Sequence, residues 1–236
     1  VLLPERRDPN VSFKVWIKAG SMNDPAGKEG LALVTAQLLA EGGTERMPYD
    51  QILAALYPLA AGYGASVDKE MTVFSGSAHR DHAATFASYF TDAMTRPRFA
   101  EADFERVRDS LVSTLENTLR YSSDEELGKA ALYGQLFNGT PYAHVPEGTV
   151  AALKALTVDD VRAFYGAHYT RDNIVLALGG AYDAELEAEV SAELGRLPAG
   201  APASVAIEPP GLRGRSVQLV EKKGDSTAIS FGFPID

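Results

Sequence analysis

The 236-residue sequence contains no cysteine. That absence excludes disulfides, thiolate zinc sites, iron–sulfur clusters and a thiol nucleophile together, and leaves the redox compartment open. Basic charge is also scarce, with 22 Lys and Arg against 32 Asp and Glu for a net −10 with His neutral. Phosphate binding needs a basic face, so no nucleic-acid partner is expected. No apolar run approaches the roughly 18 residues a membrane-spanning helix needs. The start lacks both an initiating Met and a signal-like apolar segment, from which a trimmed, soluble chain is expected, periplasmic or cytoplasmic if bacterial. What remains is 45% hydrophobic and 9% aromatic, enough for a sizeable packed core.

The first clear pattern is an alternation. Val11, Phe13, Val15 and Ile17 fall on one side and Ser12, Lys14 and Trp16 on the other, as in a half-buried strand. After a Gly/Asp/Pro-rich turn over 19–27, helical spacing of Leu31, Val34 and Leu38 predicts a helix over 29–41, stopped by Gly42-Gly43. A short helix over 49–58, strands over 63–68 and 71–78, and a helix carrying Phe86, Phe90 and Ala93 to Pro97 follow. Phe104, Val107, Leu111 and Leu115 mark a longer helix, and another covers 124–137. Thr157 and Asp160 make a capping box opening a helix to His168, 173–178 reads as a buried strand, and the last helix covers 183–195. Strand pairs alternate with helix clusters rather than in a βαβ rhythm, which points to an α+β fold.

Pro and Gly crowd residues 198–213, marking a linker after a domain over 1–197. Beyond it, Val217 to Phe231 aligns on Val1 to Val15 without a gap, at a constant offset of 216. Glu221 falls on Glu5, Lys222 and Lys223 on Arg6 and Arg7, Ile229 on Phe13, and Phe231 on Val15. Residues 214–236 are therefore expected to be the first hairpin of a second, truncated homologous domain.

The segment Ala19-Gly-Ser-Met-Asn-Asp-Pro-Ala-Gly-Lys-Glu-Gly-Leu-Ala32, followed by Glu41-Gly-Gly-Thr44, resembles the insulinase/pitrilysin metallopeptidase family. Further pieces agree in order: Thr95-Arg-Pro-Arg-Phe99, Pro141-Tyr142 with Glu147-Gly-Thr149, Leu156-Thr-Val-Asp-Asp160, and Phe164-Tyr165 with Tyr169, Asn173 and Gly179-Gly180. The resemblance covers residues 1–197. It implies a mixed, largely antiparallel sheet with helices packed on one face, in domains that occur in tandem.

Active domains of that family carry H-x-x-E-H on the helix after G-L-A, with two His and a later Glu on zinc and the intervening Glu as general base. Carried onto this sequence, the first ligand position is Leu33, the base is Ala36, the second ligand is Gln37, and the third maps to Thr114, 77 positions beyond Gln37, or to neighbouring Ser113. None is an imidazole, thiolate or carboxylate, so no cofactor is expected in this chain. The resemblance then implies a non-catalytic domain that binds a peptide or unfolded polypeptide. Its partner would be an active zinc-bearing peptidase subunit of the same family, or a second copy in a homodimer. Two alternatives remain: a purely structural subunit like the core proteins of the respiratory cytochrome bc1 complex, and an active zinc endopeptidase with unfamiliar ligands.

Other clusters carry less. His79-Arg-Asp-His82 places two imidazoles at i, i+3 but at a strand-to-helix junction, where a solvated helix start is expected. His144 and His168 read as local hydrogen-bonding residues, and no G-x-S-x-G elbow supports a triad. Ala61-Gly-Tyr-Gly-Ala65 lacks the P-loop Lys and is a turn into a strand.

Overall fold

The computed structural model describes residues 1–5, 7–119, 123–200, 214–221 and 227–233. Five strands form one sheet in the order β1-β5-β2-β4-β3: β1 (Leu2–Pro4), β2 (Asn10–Ile17), β3 (Gly62–Val67), β4 (Thr72–His79) and β5 (Ile174–Gly180). Only the β1–β5 pair is parallel; β2 pairs antiparallel with β4 and β5, and β3 with β4. This is the expected α+β architecture, and the alternation in β2 explains its orientation. Val11, Phe13, Val15 and Ile17 are buried beneath the helices, while Ser12 and Lys14 face solvent.

Phe13 meets Phe86 and Phe90 at 5.1 and 5.5 Å between ring centres, and Phe74 meets Phe90 at 4.9 Å, in tilted arrangements favoured by the ring quadrupoles. Phe86 and Phe90 lie on α3 (Ala83–Thr95). Helix α1 (Leu31–Glu41) packs on β3 and is buried along nearly its whole length. It begins at Leu31 rather than Glu29 because Gly30 sits at φ 102°, a left-handed conformation that no helix interior accepts. Helix α2 (Tyr49–Leu56) precedes β3, and α4 (Glu101–Ser113) packs across α1.

α4 continues directly into a π-helical turn, Thr114–Leu119. Next come α5 (Asp124–Leu136), the short α6 (Val150–Ala155) and α7 (Val158–His168). The chain then enters β5 and reaches α8 (Ala184–Leu194), packed on α3. The capping box forms as read, with Thr157 Oγ1 accepting from Asp160 N at 3.3 Å and Asp160 Oδ2 accepting from Thr157 N at 3.1 Å. The six-residue α6 has no counterpart in the periodicity reading, since it is too short to repeat an apolar face.

β5 corrects one expectation. Its apolar run reads as a fully buried strand, yet only Leu178 is buried and Val175 is exposed. Both hydrogen-bonding edges of β5 are paired, but helices cover only one face of the sheet, so Val175 and Ala177, beside Trp16 and Lys14, lie on the open face.

Most of the expected linker, residues 201–213, lies outside the described residues. Its described start is tied to the domain: Arg171 N donates to Pro198 O at 3.0 Å and Thr170 Oγ1 to Gly200 O at 2.9 Å. Among the described residues of 214–233 no strand is assigned; Gln135 Nε2 donates to Ser216 Oγ at 2.6 Å.

Candidate functional site

Leu33 and Gln37 are four residues apart on α1 and so share a face, with Ala36 beside them. Leu33 and Ala36 are buried and Gln37 is half-buried. Thr114 stands at the junction of α4 and the π turn, exposed, its hydroxyl donating to Ser110 O at 3.0 Å. Neighbouring Ser113 is exposed and accepts from Asn117 Nδ2 at 3.2 Å. An alkyl group, a methyl, an amide and a hydroxyl do not make a zinc donor set, so these positions do not fit the metal. The nearest carboxylate in sequence to Thr114, Glu116, pairs with Lys154 at 3.0 Å. Among the described residues no group of three His, Asp or Glu is placed to hold a metal ion. The π turn is a feature that counting at 3.6 residues per turn cannot find, and such turns recur at functional positions.

β3 is the last strand of the sheet, and among the described residues no group hydrogen-bonds to its outer edge. Beside it lies an apolar groove of about 310 Å³, lined by Ala40, Ile52, Leu53, Leu56, Tyr57 and the start of β3. Ile52 and Leu56 are buried at its base, whereas Leu53 and Tyr57 are exposed on its walls. Sequence reasoning did not find this groove; the exposed apolar residues of α2 are the trace it leaves in the chain.

The pieces of the sequence that carry the family resemblance meet in a joint at the other end of α1. The buried Asp24 carboxylate accepts from Gly30 N and Ala32 N, both at 2.7 Å, and lies 3.1 Å from His144 Nε2. Gly148, at φ 77°, passes so close to the chain that a Cβ there would sit 2.0 Å from Glu29 O. Lys69 donates to the His144 carbonyl and Tyr142 bonds Glu70, whose charge, after burial, helps push the phenol up to about 12. Lys28 pairs with Asp160. Thr44 likewise pairs with Pro97, and Arg98 N donates to Gly43 O at 3.0 Å, joining the E-G-G-T and T-R-P-R-F segments. These motifs are structural joints between distant parts of the chain.

His144 is thus a hydrogen-bonding residue, but its partner Asp24 lies 120 positions away in the chain rather than locally. His168 lies against Phe164 in a tilted arrangement, ring centres 4.4 Å apart; burial holds its imidazole below the ordinary range, and among the described residues its buried Nδ1 makes no hydrogen bond. His79 precedes and His82 ends a single 3-10 turn, Arg80–His82, with ring centres 6.5 Å apart; His79 Nδ1 accepts from Asp81 N at 3.3 Å.

The sheet, the helical layer and the joints define an insulinase-type α+β domain, and comparison with known proteins agrees. The profile of the family described as insulinase (peptidase family M16) matches residues 1–145, and that of the peptidase M16 inactive domain matches 155–236. The chain belongs to the insulinase family, peptidase family M16.

Among curated relatives, the mitochondrial-processing peptidase subunit beta of Dictyostelium discoideum is 22% identical over 174 residues, 74% of this chain and 37% of that protein. The non-peptidase homolog YmxG of Helicobacter pylori is 26% identical over 164 residues, 68% of this chain and 36% of that protein. The chain therefore spans little more than a third of the length of these relatives. Among solved structures, a peptidase M16 inactive domain from Pseudomonas fluorescens superposes with a TM-score of 0.79 at 24% identity, covering 89% of this chain and 50% of that one. Pitrilysin superposes with a TM-score of 0.76 at 17% identity, covering 89% and 23%. No described helix is long and apolar enough to cross a membrane.

Proposed function

We propose that this chain is a non-peptidase member of its family that holds an extended peptide or unfolded polypeptide and assists an active zinc-bearing partner of the same family in proteolysis. The observation that carries this reading is the α1 face. Leu33 and Ala36 are packed into the core where a metal-binding helix would present imidazole and carboxylate, so zinc belongs to the partner and not to this chain. The similarity to a non-peptidase homolog and to an inactive domain supports it. The unpaired edge of β3 supports the peptide role, because an added strand gains main-chain hydrogen bonds whatever its sequence.

We propose further that residues 214–236 open a second copy of the fold. Ile229, Phe231 and Phe233 are 85, 85 and 74% exposed, while Phe13, Val15 and Ile17, 216 positions earlier, are 1, 0 and 0% exposed in β2. Such a stripe is core surface waiting for its other half.

The test is to purify the chain, measure its zinc content, and mix it with a family member that carries an intact H-x-x-E-H helix. Absence of stoichiometric zinc together with a gain in peptide cleavage over the partner alone is expected. Stoichiometric zinc with hydrolysis by this chain alone would overturn the reading, and a complex formed without any gain in cleavage would make it a structural subunit.

A further inference from the structure

The sequence has five asparagines, at positions 10, 23, 117, 138 and 173. Four of them are tethered through the side-chain amide, and each of the four is followed by a residue that carries a side chain. Asn10 Nδ2 donates to Asp8 Oδ1 at 3.0 Å, and Asn23 Oδ1 accepts from Gly20 N at 3.0 Å. Asn117 Nδ2 donates to Ser113 Oγ at 3.2 Å, and Nδ2 of the buried Asn173 donates to His168 O at 2.8 Å. Asn138 differs on both counts. It is exposed, its side chain makes no hydrogen bond among the described residues, and Gly139 follows it.

The turn that holds this pair keeps it open. It runs from Phe137, at the C-terminal end of α5, to Thr140, whose N donates to Phe137 O at 2.9 Å. Gly139 takes φ 81° in that turn, and a Cβ on it would meet nothing within 4 Å. Its N–H makes no hydrogen bond among the described residues. The main-chain nitrogen next to the Asn138 amide is thus unscreened, and glycine lacks the Cβ that obstructs close approach at other residues.

We infer that Asn138-Gly139 is a site of spontaneous covalent modification in the folded protein, at which the asparagine cyclises and is opened by water to aspartate and isoaspartate. Gly139 N loses its proton to solvent and attacks Asn138 Cγ. The new N–Cγ bond closes a succinimide, and Nδ2 takes up a proton and leaves as ammonia. Water then adds to one of the two ring carbonyls. Opening at Cγ breaks the N–Cγ bond and leaves an ordinary aspartate. Opening at the main-chain carbonyl carbon breaks its bond to Gly139 N and leaves an isoaspartate, whose main chain runs through Cβ and Cγ. Nothing is oxidised or reduced, and the net change is water in and ammonia out.

Either product places a carboxylate just beyond Leu136, where the last carbonyls of α5 already form the negative end of the helix dipole. The isoaspartate also lengthens the main chain by a methylene immediately before the stretch in which Tyr142 bonds Glu70 and His144 lies 3.1 Å from Asp24. Modification at 138 therefore loosens the joint that fixes the start of α1.

The test incubates the 236-residue chain at physiological temperature, folded and in urea, and follows conversion at all five asparagines by peptide mapping with mass spectrometry. Isoaspartate is identified by methyl transfer from S-adenosylmethionine with an isoaspartyl methyltransferase. In the folded chain Asn138 is expected to convert at least about tenfold faster than each of the other four, which must first give up a hydrogen bond. Its folded rate is expected to lie within about tenfold of its rate in urea, because no opening of the structure is needed. Conversion no faster than at the tethered asparagines, or a folded rate more than about tenfold below the rate in urea, overturns the site. The aged chain is then compared with fresh Asn138→Ser, which cannot cyclise, and fresh Asn138→Asp, which carries the charge without the longer main chain. Amide hydrogen exchange of the peptide containing Gly30 and Ala32 is expected to be at least about threefold faster in the aged chain than in Asn138→Ser, with Asn138→Asp between them. Equal exchange in all three overturns the loosening of the joint and leaves the modification site standing.

Discussion

The Asp24 carboxylate does the work of a helix cap from six residues upstream, satisfying Gly30 N and Ala32 N at the start of α1 while His144 closes over it. His168 is the titrating side chain whose environment has a direct consequence for stability. Burial lowers its pKa from the ordinary 6.5, and the charge of Asp24 opposes this only in part. Between the depressed folded value and about 6.5 the unfolded chain binds more protons than the folded one, so stability rises with pH through that window and is lost as pH falls through it. The urea midpoint of the native sequence should therefore fall more between pH 7 and 5.5 than that of His168→Gln, and identical slopes would remove His168 from the account. The sequence shows His168 near a helix end, but its burial against Phe164 depends on packing that periodicity does not report.

At the scale of elements, the joint around α1 accounts for glycines that read in the sequence only as motif letters. Gly148 is at φ 77° with Glu29 O 2.0 Å from the place of a Cβ, whereas Gly139 is at φ 81° with nothing within 4 Å. Gly139→Ala should cost only the left-handed strain, about 1–2 kcal/mol. Gly148→Ala adds a backbone collision and should cost about 3 kcal/mol or more, read as the difference in urea unfolding free energy. Equal losses would mean that the loop before α6 is not locked to the loop before α1. The two segments, Gly27-Lys-Glu-Gly-Leu-Ala32 and Glu147-Gly-Thr149, were legible one by one. That they are halves of a single contact was not, because nothing local couples residues so far apart in the chain. Helix α1 shows the opposite case: its residues 33, 36 and 37 state their lack of metal chemistry by identity alone, before any geometry.

Across the whole molecule, the helices cover one face of the sheet and the core lies between them. The described parts of 214–233 contribute almost nothing to that core, since Val217, Leu219, Ile229, Phe231 and Phe233 are all exposed. Removing residues 214–236 should therefore change the unfolding free energy of the remaining domain by no more than about 0.5 kcal/mol, measured by urea titration. A larger loss would mean that this segment packs on the first domain instead of awaiting partners of its own.

The chain by itself determined the order of the longer helices and strands, the core-facing side of β2, the capping box at Thr157, and the absence of zinc donors at Leu33, Ala36, Gln37 and Thr114. Each is a property of side-chain identity or of a repeat of two or 3.6 residues, and so is written locally. Only the tertiary structure decided that β5 has an open face, that β3 rather than β1 is the unprotected edge, that a groove opens beside it, and that the glycine motifs touch. Those features arise from which elements end up adjacent in space, a through-space relation between distant residues that no local period encodes.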